Sequence, residues 1–247
     1  DPLESKPPKN LKDTAERLAK TGATPSAPES ACKRYANKVG YATNEATIVF
    51  QAVRKLLKEY VTDDGADDGY QKVFNQAFAG FPKDLGFNNG LSAPQPDFIE
   101  GLRMEKYRPF PVDEHVSGAV LYKDDHHSLT LPHMAGEWKG RGEDMEETRL
   151  QRAYYGCALV YTRNQALSYI REPDRANHAE IMTFTTDGTN INFFAHYAIP
   201  SEEEEGKMEY HQYPIASMNL TNSYEEFKKG RKQIRNLQDH GRGSRML

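Results

Sequence analysis

Apolar side chains recur at three- and four-residue steps through Val49, Ala52, Val53, Leu56, Leu57 and Tyr60, the spacing of one buried helix face. Thr43 or Asn44 is placed to cap the start of this helix. Glu45 falls in its first turn on the inward stripe, where a carboxylate either meets the helix dipole or lines a site. Ahead of it, Leu11 to Lys20 reads as a helix and Thr21 to Ser30 as a Pro- and Ser-rich loop. Residues 1–42 are therefore expected to form an N-terminal arm, and 43–247 the domain proper.

Beyond the acidic turn Thr62–Gly69, the spacing predicts a short helix around Tyr70 to Ala79 and a loop rich in Gly, Asn and Pro up to Pro96. The period then shortens to that of strands at Asp97–Leu102, Val116–Tyr122 and Ser128–Lys139, the last two joined as a hairpin through Lys123–His127. A second amphipathic helix runs from about Glu146 through Leu150, Ala153, Tyr154, Cys157 and Ala158 to Tyr161. Strand patterns resume at His178–Thr185, Asn190–Ile199 and Lys207–Tyr213, with Asp187-Gly188 as a hairpin turn and the glutamates from Glu202 to Glu205 as a solvated tip. A basic helix from about Ser223 to Asp239 closes the pattern. Helices interleaved with strands in this way predict an α/β domain with a mixed central sheet flanked by helices.

Composition narrows the function. The 247 residues suffice for one sizeable core, and a mean hydropathy of -0.81 with no apolar run near ~18 residues excludes a membrane-spanning chain. Thirty-two basic against 36 acidic residues give a net charge of -4, which excludes coating nucleic acid by bulk charge. A local strip remains: Lys228, Lys229, Arg231, Lys232 and Arg235, continued by Arg242 and Arg245, either neutralises phosphates or forms a solvated helix face. Cys32 and Cys157 are too few for a disulfide scaffold or a Cys-rich zinc site, so an intracellular, reducing compartment is expected. A start at Asp1 without a leader points to an excised or processed chain, which leaves nuclear location and secretion both open.

One constellation can carry chemistry. Pro96-Asp97 opens one strand, and Glu137-Trp138-Lys139 ends another just before a helix. Alternation along a strand sends Glu137 and Lys139 to one face and Trp138 to the other. With Asp97 opposite, two carboxylates can hold a hard divalent cation, and the lysine can steady charge on a phosphate. Other Glu-x-Lys triplets begin at Glu4, Glu205 and Glu226, but those positions read as arm, acidic tip and helix. Pro173-Asp174 reads as a turn. His126, His127 and His133 fit no common zinc spacing, and Cys157 on the apolar face of its helix is expected to be inert.

Asp97, Glu137-Trp138-Lys139, a preceding helix with Glu45 and a following helix with Gln151 resemble the PD-(D/E)XK superfamily of restriction-endonuclease-like phosphodiesterases. More closely, Pro94-Gln-Pro-Asp97, Gly136-Glu-Trp-Lys-Gly140, Gln151 with Tyr155-Gly156, the strands around Asp187-Gly188 and Ile234 to Gly241 resemble a largely uncharacterised fungal domain family within it. The resemblance spans roughly Thr43 to Arg245. It implies a restriction-endonuclease-like fold and a nuclease using Mg²⁺ or Mn²⁺, acting on DNA in preference to RNA. It also implies Asp97, Glu137 and the Trp138 carbonyl as metal ligands, Lys139 as the catalytic lysine, and Glu45 and Gln151 in support. The long interval between Asp97 and Glu137 leaves Glu100 or Asp113 as alternative partners for Glu137. A fungal effector or toxin, a mobile-element protein and a nucleic-acid maintenance factor all fit, and homodimer formation stays open. The competing expectation is an inactive module that keeps the fold to bind nucleic acid or a protein partner.

Overall fold

The computed structural model describes residues 5–21, 25–42, 44–60, 69–108, 111–116, 118–140 and 145–243. Its strands are β1 (Tyr70–Phe74), β2 (Phe98–Arg103), β3 (Leu129–Trp138), β4 (Ile181–Thr186), β5 (Asn190–Pro200) and β6 (Met208–Asn219). They form one six-stranded sheet in chain order. Neighbours are antiparallel except β3 and β4, which run parallel. A parallel pair needs a crossover, and the 25-residue helix α5 (Met145–Tyr169) supplies it. The other helices are α1 (Leu11–Ala19), α2 (Glu29–Gly40), α3 (Glu45–Leu56), the short α4 (Val112–His115) and α6 (Tyr224–Gly243). The chain is thus α/β, with a mixed sheet flanked by helices.

Alternation along the strands divides the core into two layers. Phe98 and Trp138 face Tyr35, Phe184, Phe227 and Ile234 on the side of α2 and α6, whereas their neighbours Ile99 and Ala135 face Leu159 and Ile181 on the side of α5. All ten residues of β3 are buried, as befits a strand covered on both faces.

Several expected elements differ. Tyr70–Phe74 is a strand, not a helix: its residues pair with Leu102 to Phe98, so a ladder of backbone hydrogen bonds replaces the local ones a helix would make. Val116–Tyr122 contains no strand among its described residues. Its polar groups are taken individually instead, with the Leu121 N–H donating to Leu129, the Leu121 carbonyl accepting from Gly80, and the Ala119 carbonyl accepting from Thr130 Oγ1. α5 and β6 both run longer than expected. The stretch before residue 43 is not peripheral: α2 brings Cys32, Tyr35 and Val39 into the core beside Leu18 of α1. Asn44 caps α3, accepting from the Thr47 N–H at 2.9 Å. Most of the acidic turn, residues 61–68, lies outside the described residues, as do Thr43 and Arg245.

Gly156 of α5 packs directly against the sheet. A Cβ there would stand 1.9 Å from Nδ1 of His196, a buried β5 side chain hydrogen-bonded to Thr183 at 2.7 Å. Gly156→Ala should therefore push α5 off the sheet and destabilise the fold by about 1–3 kcal/mol, read by thermal denaturation.

Candidate active site at the ends of β2 and β3

Phe98 pairs with Gly136, so Asp97 just before β2 stands across from Glu137 near the end of β3. The contact is tied by the Trp138 N–H, which donates to Asp97 Oδ2 at 2.7 Å. The Trp138 ring is fixed below the sheet by edge-on contacts with Phe98 and Phe184, at 6.1 and 5.3 Å between centroids. With Trp138 anchored on that face, alternation turns Glu137 to the other. Gly136 makes the anchoring possible, since a Cβ there would lie 2.1 Å from the Phe184 ring. The expected division of Glu137 and Trp138 between faces is the one observed.

Glu137 is 6% exposed. Its Oε1 lies 3.0 Å from Lys139 Nζ, while Oε2 is buried with no hydrogen-bond partner among the described residues. Burial, reinforced by the Asp97 carboxylate, pushes Glu137 up to about 7 from the usual 4.5, against the opposing pull of Lys139. Lys139 is itself held in place, its backbone N–H donating to the Thr186 carbonyl at 3.0 Å. A buried carboxylate oxygen without a donor is costly, and a proton, a hydrogen-bond donor or a cation would each remove the cost. Two neighbouring carboxylates are hard oxygen donors of the kind that Mg²⁺ or Mn²⁺ take, ions that keep several of their waters. Among the described residues no group of three or more His, Cys, Asp and Glu side chains is arranged to hold a metal.

The remaining candidates separate clearly. Glu100 points to the opposite face, fully buried, where Gln238 Nε2 donates to it at 2.8 Å and Arg242 Nε pairs with it. Asp113 is exposed on α4. Asp97 is the carboxylate that stands beside Glu137. Glu45 is the first residue of α3, but its side chain lies outside the described residues; Gln151 is partly buried in the second turn of α5. The histidines do not converge: His126 and His127 are exposed in a turn, and His133 is buried edge-on to Tyr70 and pushed down to about 3 by desolvation. Asp174 is gripped by Arg163 at 2.6 and 3.2 Å. Burial pushes the Cys157 thiol up to about 12.

Much of the basic strip on α6 is engaged within the fold. Arg231 Nε donates to the Lys55 carbonyl at 2.8 Å, Arg235 to Leu56 and Leu57 at 3.0 and 2.9 Å, and Lys232 to Ala19 at 3.0 Å. These are orphan carbonyls at the C-terminal ends of α3 and α1. Lys228 pairs with Glu225, and Lys229 is exposed.

Sequence reasoning missed Thr185, Asn192 and Ser217, which continue the row of Glu137 across the sheet: Glu137 pairs with Thr185, Thr185 with Asn192, and Asn192 with Ser217. The available signal was weak, a small polar residue near one end of each of three strands that carry other polar residues as well.

Two measurements test this reading. Because Glu137 holds its proton in the folded chain up to about pH 7 but only to about 4.5 unfolded, its contribution to stability is full below pH 4.5 and lost as pH rises through 7. Glu137→Gln should flatten that part of the melting-temperature profile between pH 4 and 8. Arg235→Ala, which strips two carbonyl caps from the end of α3, should lower stability by about 1–3 kcal/mol in denaturant titration.

Neither the curated proteins nor the solved structures contain a match to this chain. A family model described as a domain of unknown function, DUF7924, matches residues 33–246, a span that takes in α3, the whole sheet and the carboxylate pair. The chain belongs to the DUF7924 family.

Proposed function

We propose that this protein is a divalent-metal-dependent nuclease with a restriction-endonuclease-like core, acting on DNA in preference to RNA. The observation that carries the reading is the Asp97–Glu137–Lys139 cluster, in which a buried carboxylate oxygen has no hydrogen-bond partner among the described residues and a lysine stands 3.0 Å from its sister oxygen. The order of elements supports it too: a helix with an acidic first residue, three antiparallel strands, a crossover helix and a parallel strand.

Asp97 and Glu137, with the Trp138 carbonyl, would hold Mg²⁺ or Mn²⁺. The bound ion supplies Lewis-acid stabilisation of a phosphate oxygen and a water of lowered pKa. Asp97 is oriented for this by the Trp138 N–H, and Glu137 must shed its proton before it can serve as a ligand. Lys139 offsets the negative charge of Glu137 and offers a donor to the charge that builds on the phosphate during in-line attack. Its ammonium is fixed on the same side as the carboxylate because the residue between them, Trp138, is anchored in the core.

The test is cleavage of plasmid, single-stranded DNA and RNA in EDTA, Mg²⁺ or Mn²⁺. Wild type should cut DNA only with metal, and Asp97→Asn, Glu137→Ala and Lys139→Ala should each cut at least about a hundredfold more slowly. The melting temperature should rise with Mn²⁺ in wild type and Lys139→Ala but not in Glu137→Ala. A folded wild type that neither cuts nor gains stability from metal would overturn the nuclease reading in favour of an inactive binding module.

A further inference from the structure

Beside the carboxylate pair the sheet opens into a cleft of about 380 Å³, lined by Lys139, Thr185, Thr186, Asp187, Asn192 and Ser217 among others. Its floor is the row that starts at Glu137. Paired residues on adjacent strands present their side chains to the same face, so Thr185, Asn192 and Ser217 lead from the acidic pair across β4, β5 and β6.

The charge of this cleft is unlike that of a phosphate track. Among the described residues its one lysine is paired with Glu137, and its one carboxylate, Asp187, accepts from the Thr189 and Asn190 N–H groups at 2.8 and 2.6 Å. What remains of the described lining is neutral: the Thr185 and Ser217 hydroxyls and the Asn190 and Asn192 amides, groups that can both donate and accept. Such a lining repels a run of phosphates less than an acidic one but gives them no countercharge, whereas it matches the edges and hydroxyls of an uncharged polar ring system. The volume sits near the lower end of the range for small-ligand pockets, about 300–1,000 Å³, which is the scale of one nucleoside.

The walls are built in advance. Asn192 Nδ2 donates to Thr185 Oγ1 at 3.4 Å, Thr186 Oγ1 donates to the Asn190 carbonyl at 2.6 Å, and the Tyr35 hydroxyl donates to the Gly188 carbonyl at 2.7 Å. Tyr35 is fully buried, so the turn between β4 and β5 that borders the cleft is tied to the core. A preformed wall spares a ligand the cost of ordering it.

We propose that this cleft takes the unpaired nucleoside next to the phosphate held at Asp97, Glu137 and Lys139, so that the preferred substrate is single-stranded or frayed nucleic acid. The proposal rests on the nuclease reading for the position of that phosphate. A base stacked inside a duplex cannot enter a pocket of this size unless it leaves the stack, which a single strand allows at little cost.

The experiment measures binding apart from cutting. A fluorescently labelled 12-nucleotide DNA strand, and the same strand annealed to its complement, are titrated with the full chain in Ca²⁺ by anisotropy, and the two DNAs are cut in Mn²⁺ in parallel. The single strand should bind at least tenfold more tightly than the duplex. Asn192→Ala and Ser217→Ala should each reduce that preference severalfold and raise KM for single-strand cleavage, with kcat and the Mn²⁺-induced rise in melting temperature unchanged. Ser217 is exposed, so its variant keeps the test alive should Asn192→Ala misfold. Equal binding of the two DNAs, or a preference untouched by both variants, would overturn the proposal. Absence of cutting by wild type with the single-strand preference intact and variant-sensitive would instead overturn the nuclease reading and leave the cleft assigned.

Discussion

Asp97 Oδ2 accepts the Trp138 N–H, and this hydrogen bond sets the geometry of everything around it. It closes β2 against β3 at the point where the two carboxylates meet. One of its partners is the backbone of the only tryptophan in the chain, whose ring is locked between Phe98 and Phe184. Glu137 has no freedom to escape the neighbouring negative charge, because its own backbone is committed on both sides. The raised pKa of Glu137 thus follows first from its burial by the core and then from the Asp97 carboxylate that this hydrogen bond holds beside it. Local strain of this kind, held by a rigid frame, is typical of groups kept ready for a ligand.

The two faces of the sheet use charge in different ways. On the α6 face, Glu100 is satisfied by Gln238 and Arg242, Lys58 and Tyr60 share Asp239, and the Arg242 guanidinium lies 3.6 Å from the centre of the Tyr60 ring. Each carboxylate there has donors and an aromatic or cationic neighbour. On the α5 face, Glu137 meets Lys139 and the Asp97 backbone, and its buried Oε2 has no hydrogen-bond partner among the described residues. The contrast separates a carboxylate that cements packing from one left to engage something else, although both sit in apolar strands and both are shielded from water.

The strands that carry the site were legible because alternation alone places Glu137 and Trp138 on opposite faces, and because Phe98 and its neighbours have the strand period. β1 was not, since Tyr70 to Phe74 is short and its partner in β2 lies some distance along the chain. α2 was missed although Cys32, Tyr35 and Val39 keep helical spacing, because the stripe has little Leu or Ile and follows a Pro-rich loop. The α6 cations show the deeper limit. Their charge is plain in the sequence, but their partners are backbone carbonyls of α1 and α3, and a carbonyl leaves no mark on the residue letter.

Those carbonyl contacts also bear on how the chain acquires its shape during synthesis. Asn236 donates to the Arg17, Leu18 and Lys20 carbonyls at the end of α1, while Arg231 and Arg235 close the end of α3. The helix that finishes these first elements, α6, is made long after them, about two hundred residues further along the chain than α1. Until it is made, both early helices end in unsatisfied backbone groups, and the layer of core around Tyr35 and Phe227 lacks one wall. Folding of this domain therefore waits on the synthesis of α6, since contacts between its first and last described helices are among the longest in sequence separation.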